Sequence, residues 1–423
     1  MKQIWLHLQV AIYTLGIYGL GLGIRIGALW SDKLKKWIDG RRAQFSYLEE
    51  ILKKLPETAT TYWFHCASLG EFEQGRPVLE QLRIAKPQAR ILLSFFSPSG
   101  YEIQKNYSKA DLVFYLPLDT PLNAKRIARL LQADYFIAVK YEFWYHLLKQ
   151  LKRHSCKILL ISAAFRRKQW FFHPWLSFGH QLLGCFDRIY VQDEQSLECL
   201  QQIGYNQAFI GGDTRVDRVL ERARAPKTLT GLKAFIGTYT NVLVAGSTWP
   251  PDEKLLSEWL ADPAFADWKV ILAPHEISNN HLRKIEETIP EATHRYSDTS
   301  PLPPGTRIML LDTMGDLSSA YQFASHAYIG GGFGKGIHNI LEAAAYGVPV
   351  FFGPNFNKFR EAHELIRMDA GFSVKNAVEF KDLLHSISPE NRYLEVQKNS
   401  LDYLHQNQGA SKRIIEYLSL NFE

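Results

Sequence analysis

Cysteine is scarce in this chain: Cys66, Cys156, Cys185 and Cys199 are the four among 423 residues. None stands at C-x-x-C spacing, so a cysteine zinc cage or a dithiol redox motif is excluded, and the four read as buried small hydrophobes of a reducing compartment. Asp-x-Asp, the usual mark of a metal-dependent sugar-nucleotide site, is missing. His275-Glu276 and His363-Glu364 lack a second His at the zinc spacing, so no metal site is expected. No G-x-S-x-G elbow supports hydrolase chemistry. No arginine-rich helix or nucleic-acid motif appears, so no nucleic-acid partner is expected. What is present is a globular composition, 46% hydrophobic and 22% charged, with a net charge of +6. That balance favours an anionic partner, a membrane surface or a phosphate-bearing substrate.

Residues Ile4 to Trp30 are apolar and punctuated by glycine. Their clean core, Val10 to Ile24, is about 15 residues, short for a membrane span. Trp5 and Trp30 suit the two interfaces, and Arg25 suits snorkelling. Lys33, Lys35, Lys36, Arg41 and Arg42 follow and predict that the next domain lies on the cytoplasmic side. The expectation for 1–32 is an uncleaved membrane anchor, either spanning or lying in the interface.

From Thr61 onward, short apolar runs alternate with helical stretches, which predicts parallel sheets covered on both faces. The expected strands of a first domain, 45–221, are Tyr62–Cys66, Arg90–Phe95, Val113–Leu116, Tyr135–Val139, Lys157–Ser162, Arg188–Val191 and Ala208–Gly211. Residues 222–240 read as an irregular linker. A second series, 241–388, has strands Asn241–Ala245, Lys269–Ala273, Arg307–Leu311, Ala327–Ile329 and Val348–Phe352. Glu291 to Gly305 reads as a loop. The tail, 389–423, is mainly helical and is expected to return toward the first domain. The fold class is α/β: two Rossmann-like domains facing across a cleft that would hold two substrates.

The candidate chemistry sits just past the strands. Ser68, Gly70 and Glu71 follow the first strand. Gly70 permits a tight turn, and Glu71 is either a general base or a carboxylate that complements a helix dipole. Ser97, Ser99 and Gly100 form either a phosphate-holding turn or a capped turn. Glu142, in Lys140-Tyr141-Glu142-Phe143-Trp144, pairs either with Lys140 or with an arginine. In the second half, Gly246-Ser247-Thr248, Pro274-His275-Glu276 and the Asp312 to Leu317 turn with Met314 and Gly315 each follow a strand. The last such turn is Gly330-Gly331-Gly332-Phe333-Gly334-Lys335-Gly336. A helix from Asn339 to Tyr346 is expected after it, its N-terminus aimed at a phosphate and its Glu342 at a ribose. Trp170, Phe171, Phe172 and Trp175, beside Arg166, Arg167 and Lys168, form either a lipid or acceptor contact or a piece of core.

These motifs in this order resemble the bacterial 3-deoxy-D-manno-octulosonic acid (Kdo) transferases of lipopolysaccharide synthesis, over nearly the whole chain. Ala67-Ser68-Leu69-Gly70-Glu71 is similar to the family's Ser-Val-Gly-Glu turn. Gly212-Asp213-Thr214-Arg215-Val216-Asp217 resembles Gly-Asn-x-Lys-Phe-Asp, and His338-Asn339-Ile340-Leu341-Glu342 resembles His-Asn-x-Leu-Glu. The resemblance implies an inverting, metal-independent GT-B glycosyltransferase that needs no cofactor. Glu71 would be its catalytic base. Arg215, Ser247, Thr248, His275, Glu276, Met314, Gly315, Gly331, Gly332, Lys335, His338, Asn339 and Glu342 would form the CMP-Kdo side. Ser68, Gly70, Ser97, Ser99, Gly100, Glu142 and Arg166 would be acceptor-side or structural. The implied partners are CMP-Kdo, a lipid A precursor (lipid IVA) and the anionic lipid surface of the bacterial inner membrane, with the catalytic domains cytoplasmic.

The chain departs from that pattern in three places. Lys140 stands where the family's Glu-x-Glu-Leu-Trp-Pro begins with an acid. Pro274-His275-Glu276 replaces Pro-Arg-His, so a donor-contacting arginine is missing, and Lys335, His275 or Arg215 is expected to replace its charge. The glycine loop is about one residue shorter. Two other readings remain open: a GT-B-like UDP-sugar transferase or epimerase, and a non-catalytic sugar-nucleotide binder at the membrane.

Overall fold

The computed structural model describes residues 2–56, 60–173, 177–289, 291–388 and 392–420. Trp175 and Pro389 lie outside them. The chain forms two compact units, residues Met1–Asp217 with Gly409–Glu423, and residues Arg218–Gln408.

The first unit is built on seven parallel strands: β1 (Thr61–Cys66), β2 (Arg90–Phe95), β3 (Leu112–Tyr115), β4 (Tyr135–Val139), β5 (Lys157–Ala163), β6 (Arg188–Val191) and β7 (Ala208–Ile210). Their order is β3-β2-β1-β4-β5-β6-β7. All six residues of β1 are buried, as expected for a strand covered by helices on both faces. Pairing sets Thr61 against Arg90 and Tyr62 against Tyr135. Strand order reverses at β1 and β4, so a crevice opens outside their carboxyl ends, which is where ligands of such sheets bind. Turn chemistry starts the helices. Thr120 accepts from the Asn123 amide ahead of Pro121, and Asp193 accepts from Ser196, each satisfying an amide the helix cannot.

The second unit has strands β8 (Val242–Thr248), β9 (Lys269–Pro274), β10 (Thr293–Arg295), β11 (Ile308–Leu310), β12 (His326–Ile329), β13 (Val350–Phe352) and β14 (Gly371–Ser373). The order is β10-β11-β9-β8-β12-β13-β14, again parallel. Here the reversal lies between β8 and β12. The chain enters this unit after Asp217 and leaves it before Gly409. Asp217 holds that return: its carboxylate accepts from the amides of Gly409, 2.5 Å, and Ser411, 2.6 Å. The helix Ala410–Leu420 then buries Ile414 and Leu418 against Leu79 and Leu82 of the first unit.

Three local expectations change. The stretch read as an irregular linker carries a helix, Thr230–Ile236, whose Leu232, Phe235 and Ile236 are buried in the second unit. Strand β10 lies inside the stretch read as a loop; it is three residues long with no apolar alternation to reveal it. Strand β8 extends through Ser247 and Thr248 by way of a register shift, with Ser247 at φ +53°.

The N-terminal helix α1 (Lys2–Gly27) does not stand free of the first unit. Gln9, Ile17 and Ile24 are buried on one stripe. The Gln9 Oε1 accepts from the Phe178 amide at 2.9 Å, the Tyr13 hydroxyl donates to Asp119 Oδ2 at 2.6 Å, and Thr14 Oγ1 is 2.9 Å from His146 Nε2. The opposite stripe, with Leu8, Ile12, Leu15, Leu22 and Ile26, is exposed. Spacings of three, four and seven mark one helix face.

Candidate functional site

In the first unit, Glu71 lies in the first turn of the helix Leu69–Ala85, directly after β1. The Ser68 hydroxyl donates to the Glu71 carboxylate. Gly70 is not the tight turn expected: it lies inside the helix, without positive φ, and a Cβ there would meet only Ser68 Oγ, at 3.8 Å. No packing atom demands a glycine at Gly70.

Glu142 follows β4, the neighbour of β1. Glu142 Oε2 accepts from His65 Nε2 at 2.7 Å and from Trp144 Nε1 at 2.8 Å. His65 Nδ1 in turn lies 2.9 Å from Ser94 Oγ, which also accepts from Trp63 Nε1 at 2.7 Å. This chain of buried polar groups lies across β1, β2 and the end of β4. Burial pushes the Cys66 thiol up, and the charges of Glu71 and Glu142 add to that, so both carboxylates act on one point at the sheet edge. The charge of Lys140 is also felt at Asp213. Burial alone would raise Asp213, but the Arg215 guanidinium and Lys140 outweigh it and hold the carboxyl below its usual range.

Several candidate residues have local structural partners. In the first unit, Arg215 Nε and Nη2 both donate to Asp213 Oδ2, at 2.9 and 2.6 Å. Ser97 Oγ accepts from the Ser99 amide at 3.3 Å, and a Cβ at Gly100 would strike the Phe95 ring. That is a capped, tightly packed turn. The Arg166 amide donates to Gln169 Oε1 at 3.0 Å. Phe171 packs on Phe143, 4.6 Å between ring centres, and is buried, whereas Trp170 is half-exposed. Arg41 leaves the basic cluster: its guanidinium stacks 3.6 Å over Trp37 and donates to the carbonyls of Leu116, Trp37 and Phe96, and burial lowers its pKa to about 9.

In the second unit the glycine loop follows β12 at the reversal point. Gly331 has φ +93°, and a Cβ on Gly332 would lie 2.6 Å from the Gly353 Cα. The loop bonds to itself: the amides of Gly334 and Gly336 donate to the Gly331 carbonyl, and that of His338 to Gly330. The helix expected over Asn339–Tyr346 is only Leu341–Ala344, four residues. Asn339 explains the late start, because its Oδ1 accepts from the Leu341 amide at 3.2 Å, a local bond that competes with helix. The helix expected to open at Asn339 therefore opens at Leu341 and runs for one turn. Glu342 accepts from Asn339 Nδ2 at 3.2 Å and lies 3.8 Å from Arg222.

The remaining turns gather at the same edge. Thr248 is buried and donates to Glu253 Oε1 at 3.2 Å. His275 stacks on both Trp249 and His338, 4.6 Å from each ring centre. Glu276 is exposed and accepts from Ser278. Met314 is exposed beside Gly315, whose φ is +81°. Lys335 is exposed. Among the described residues, no cluster of three or more metal-ligating side chains occurs.

Three residues at this edge escaped sequence reasoning. Asp252 is fully buried, and its carboxylate accepts from the Gly331 amide, the Trp249 amide and the Tyr328 hydroxyl, each at 2.9 Å. It ties the glycine loop to the β8 turn. Burial raises its pKa, and these bonds oppose the rise. Its signal was the capping-box spacing from Trp249 to Asp252. Lys227, in the stretch read as linker, donates to the Gly315 carbonyl and pairs with Asp316 at 2.7 Å. Trp249 brings an indole N–H to His338. Arg222, Lys227 and Lys335 are cations of this unit.

Residues 40–218 match the family described as 3-deoxy-D-manno-octulosonic-acid transferase (kdotransferase). The chain is 27% identical over 370 residues to the 3-deoxy-D-manno-octulosonic acid transferase of Aquifex aeolicus, covering 84% of this chain and 95% of that one. It is 26% identical over 405 residues to the enzyme of the same description from Chlamydia trachomatis, covering 90% of each. Residues 40–218 thus carry the Kdo transferase domain, and most of the chain is similar to Kdo transferases. The chain is a glycosyltransferase of lipopolysaccharide synthesis. Among solved structures, UDP-GlcNAc 2-epimerase from Neisseria meningitidis has a TM-score of 0.62 at 11% identity, covering 86% of this chain and all of that one. That likeness is one of fold. Within this Kdo transferase, Glu71 and Glu142 flank the reversal point of one sheet, and the glycine loop and the Trp249 turn flank that of the other.

Proposed function

We propose that the chain transfers Kdo from CMP-Kdo to a hydroxyl of a lipid A precursor, lipid IVA, with inversion and without a metal ion. Glu71 is the base. Its carboxylate takes the proton of the acceptor hydroxyl while that oxygen forms a bond to the anomeric carbon. The bond from that carbon to the phosphate oxygen breaks, and its electron pair leaves with CMP. A positioned base of this kind contributes about 10²–10⁴-fold. CMP is a good leaving group, so departure needs anion stabilisation rather than a strong acid. Lys335, Arg222 and Lys227 are the cations of the second unit that suit this role, together with the hydrogen-bonding ring of His338.

The observation that carries the reading is the placing of Glu71. It is a half-buried carboxylate in the first turn after β1, at the reversal point of a parallel sheet, under an uncrowded Gly70. The acceptor reading draws on α1. A cavity of about 430 Å³ beside it combines Leu22 and Leu118 with Arg25 and Arg42, which suits an acylated, phosphorylated sugar. A helix bonded side-on through Gln9, Tyr13 and Thr14 suits lying in the cytoplasmic leaflet surface of the inner membrane, its stripe from Leu8 to Ile26 in the acyl region. Exposed Lys33, Lys35, Lys36 and Arg42 suit anionic headgroups.

The test is mass analysis of product from lipid IVA incubated with CMP-Kdo, with UDP-sugars in parallel and with a chelator throughout. The expected result is a product heavier by one or more Kdo residues from CMP-Kdo alone. Turnover with UDP-sugars and none with CMP-Kdo would refute the donor.

A further inference from the structure

The indole nitrogen of Trp249 is a donor only, because its lone pair belongs to the ring. It lies 3.0 Å from His338 Nε2. That nitrogen must therefore accept, which leaves the imidazole proton on Nδ1. Among the described residues, none accepts from Nδ1. The geometry is held from several sides. The Trp249 amide donates to Asp252 Oδ2, and the same oxygen accepts from Gly331 in the loop that carries His338. The His275 ring stacks over both, its plane within 23° of Trp249 and 26° of His338. The His275 amide donates to the Thr248 carbonyl at 2.9 Å. The neutral form is the stable one: burial first, and then the nearby His275, lower the His338 pKa to about 4.

We propose that Trp249 is a positioning residue that locks His338 in the Nδ1–H tautomer, so that Nδ1–H meets an anionic oxygen of the sugar-nucleotide donor. The inference rests on the reading of the second unit as the donor side. Left to water, a histidine of this kind favours the Nε2–H tautomer, which would turn a lone pair toward the anion. The indole prevents that without adding a charge. The anionic oxygen belongs either to the phosphate or to the sugar carboxylate.

The tautomer is read directly by long-range proton–nitrogen NMR of full-length protein labelled with ¹⁵N-histidine, the His338 signals being assigned with His338→Gln. The expected spectrum has an unprotonated Nε2 and a protonated Nδ1. Trp249→Phe keeps a ring in the stack and removes the N–H, and it is expected to shift His338 toward Nε2–H at an unchanged melting temperature. A protonated Nε2 in the parent protein, or no change in Trp249→Phe, would overturn the lock. CMP and free Kdo are then added separately. A shift of Nδ1–H with CMP assigns the contact to phosphate, a shift with Kdo assigns it to carboxylate, and no shift with either overturns the contact. In transfer assays the KM for CMP-Kdo is expected to rise about tenfold in Trp249→Phe, the worth of one hydrogen bond, with kcat changing less. If the parent protein showed the lock yet transferred no Kdo, the functional reading would fail and the lock would stand.

Discussion

His65 Nε2 and Glu142 Oε2 lie 2.7 Å apart, with both side chains withdrawn from water at the sheet edge that carries Glu71. Removing one partner of such a pair leaves a buried polar group unmatched, which costs about 1–3 kcal/mol. Glu142→Gln and His65→Phe are each expected to lose stability within that range, with the double variant losing clearly less than the sum. Urea denaturation of the four proteins measures this. Strictly additive losses would show that the two residues do not act as a pair.

Glu71→Gln keeps the size of the side chain and its bond from Ser68 while abolishing basicity. Transfer is expected to fall about 10²–10⁴-fold, with the melting curve and CMP binding unchanged. Wild-type rates in this variant would remove Glu71 from the role of base.

An α1 lying in the leaflet surface places its outer residues at one depth. Nitroxide labels at Leu8, Leu15 and Leu22, on the same exposed stripe, are expected to report the same shallow immersion in anionic vesicles. A helix crossing the bilayer would instead show depths differing by about 1.5 Å per residue along its length, and a steady gradient would reject the in-plane arrangement.

His326, on β12, and His338 titrate below their ordinary value of 6.5, both at about 4, because burial disfavours the imidazolium. For His338 the proximity of His275 adds to this. A histidine depressed in the folded state binds fewer protons folded than unfolded. Its contribution is therefore fully present above pH 6.5 and is lost as pH falls toward 4. For buried His326 the loss is on the order of 3 kcal/mol. Stability curves between pH 7 and pH 4 are expected to fall, and to fall less steeply in His326→Gln. An equal slope in both proteins would contradict the shift.

Much of this molecule is legible in its residues because the signals are local. Short, mainly apolar runs such as Arg90–Phe95, Tyr135–Val139 and Arg188–Val191 read as strands covered on both faces, and their observed bounds coincide with those expected. β10 and β14, three residues each, were not legible because so short a stretch carries no periodicity of its own. The helix after the glycine loop was over-read for a related reason: its composition favours helix, but the Asn339 side chain captures the amide that would have opened it.

The order of turns also marked the sheet edges, since Ser68 to Glu71, the β8 turn and the glycine loop each directly follow an apolar strand. Which turns become neighbours was decided only by the tertiary structure. Strand order places β4 beside β1 and β12 beside β8, so Glu142 comes to the edge that carries Glu71, and Trp249 comes to His338, from positions far apart in the chain. Partner choice followed from burial. Arg215 was free to be any cation in the sequence, but the half-buried Asp213 claims it. Arg41 looked like one of a basic cluster, but the carbonyls of Leu116 and Phe96 withdraw it from solvent. A sequence states which groups can ionise and donate; the cost of leaving them unpaired once water is excluded settles which of them remain available to a substrate.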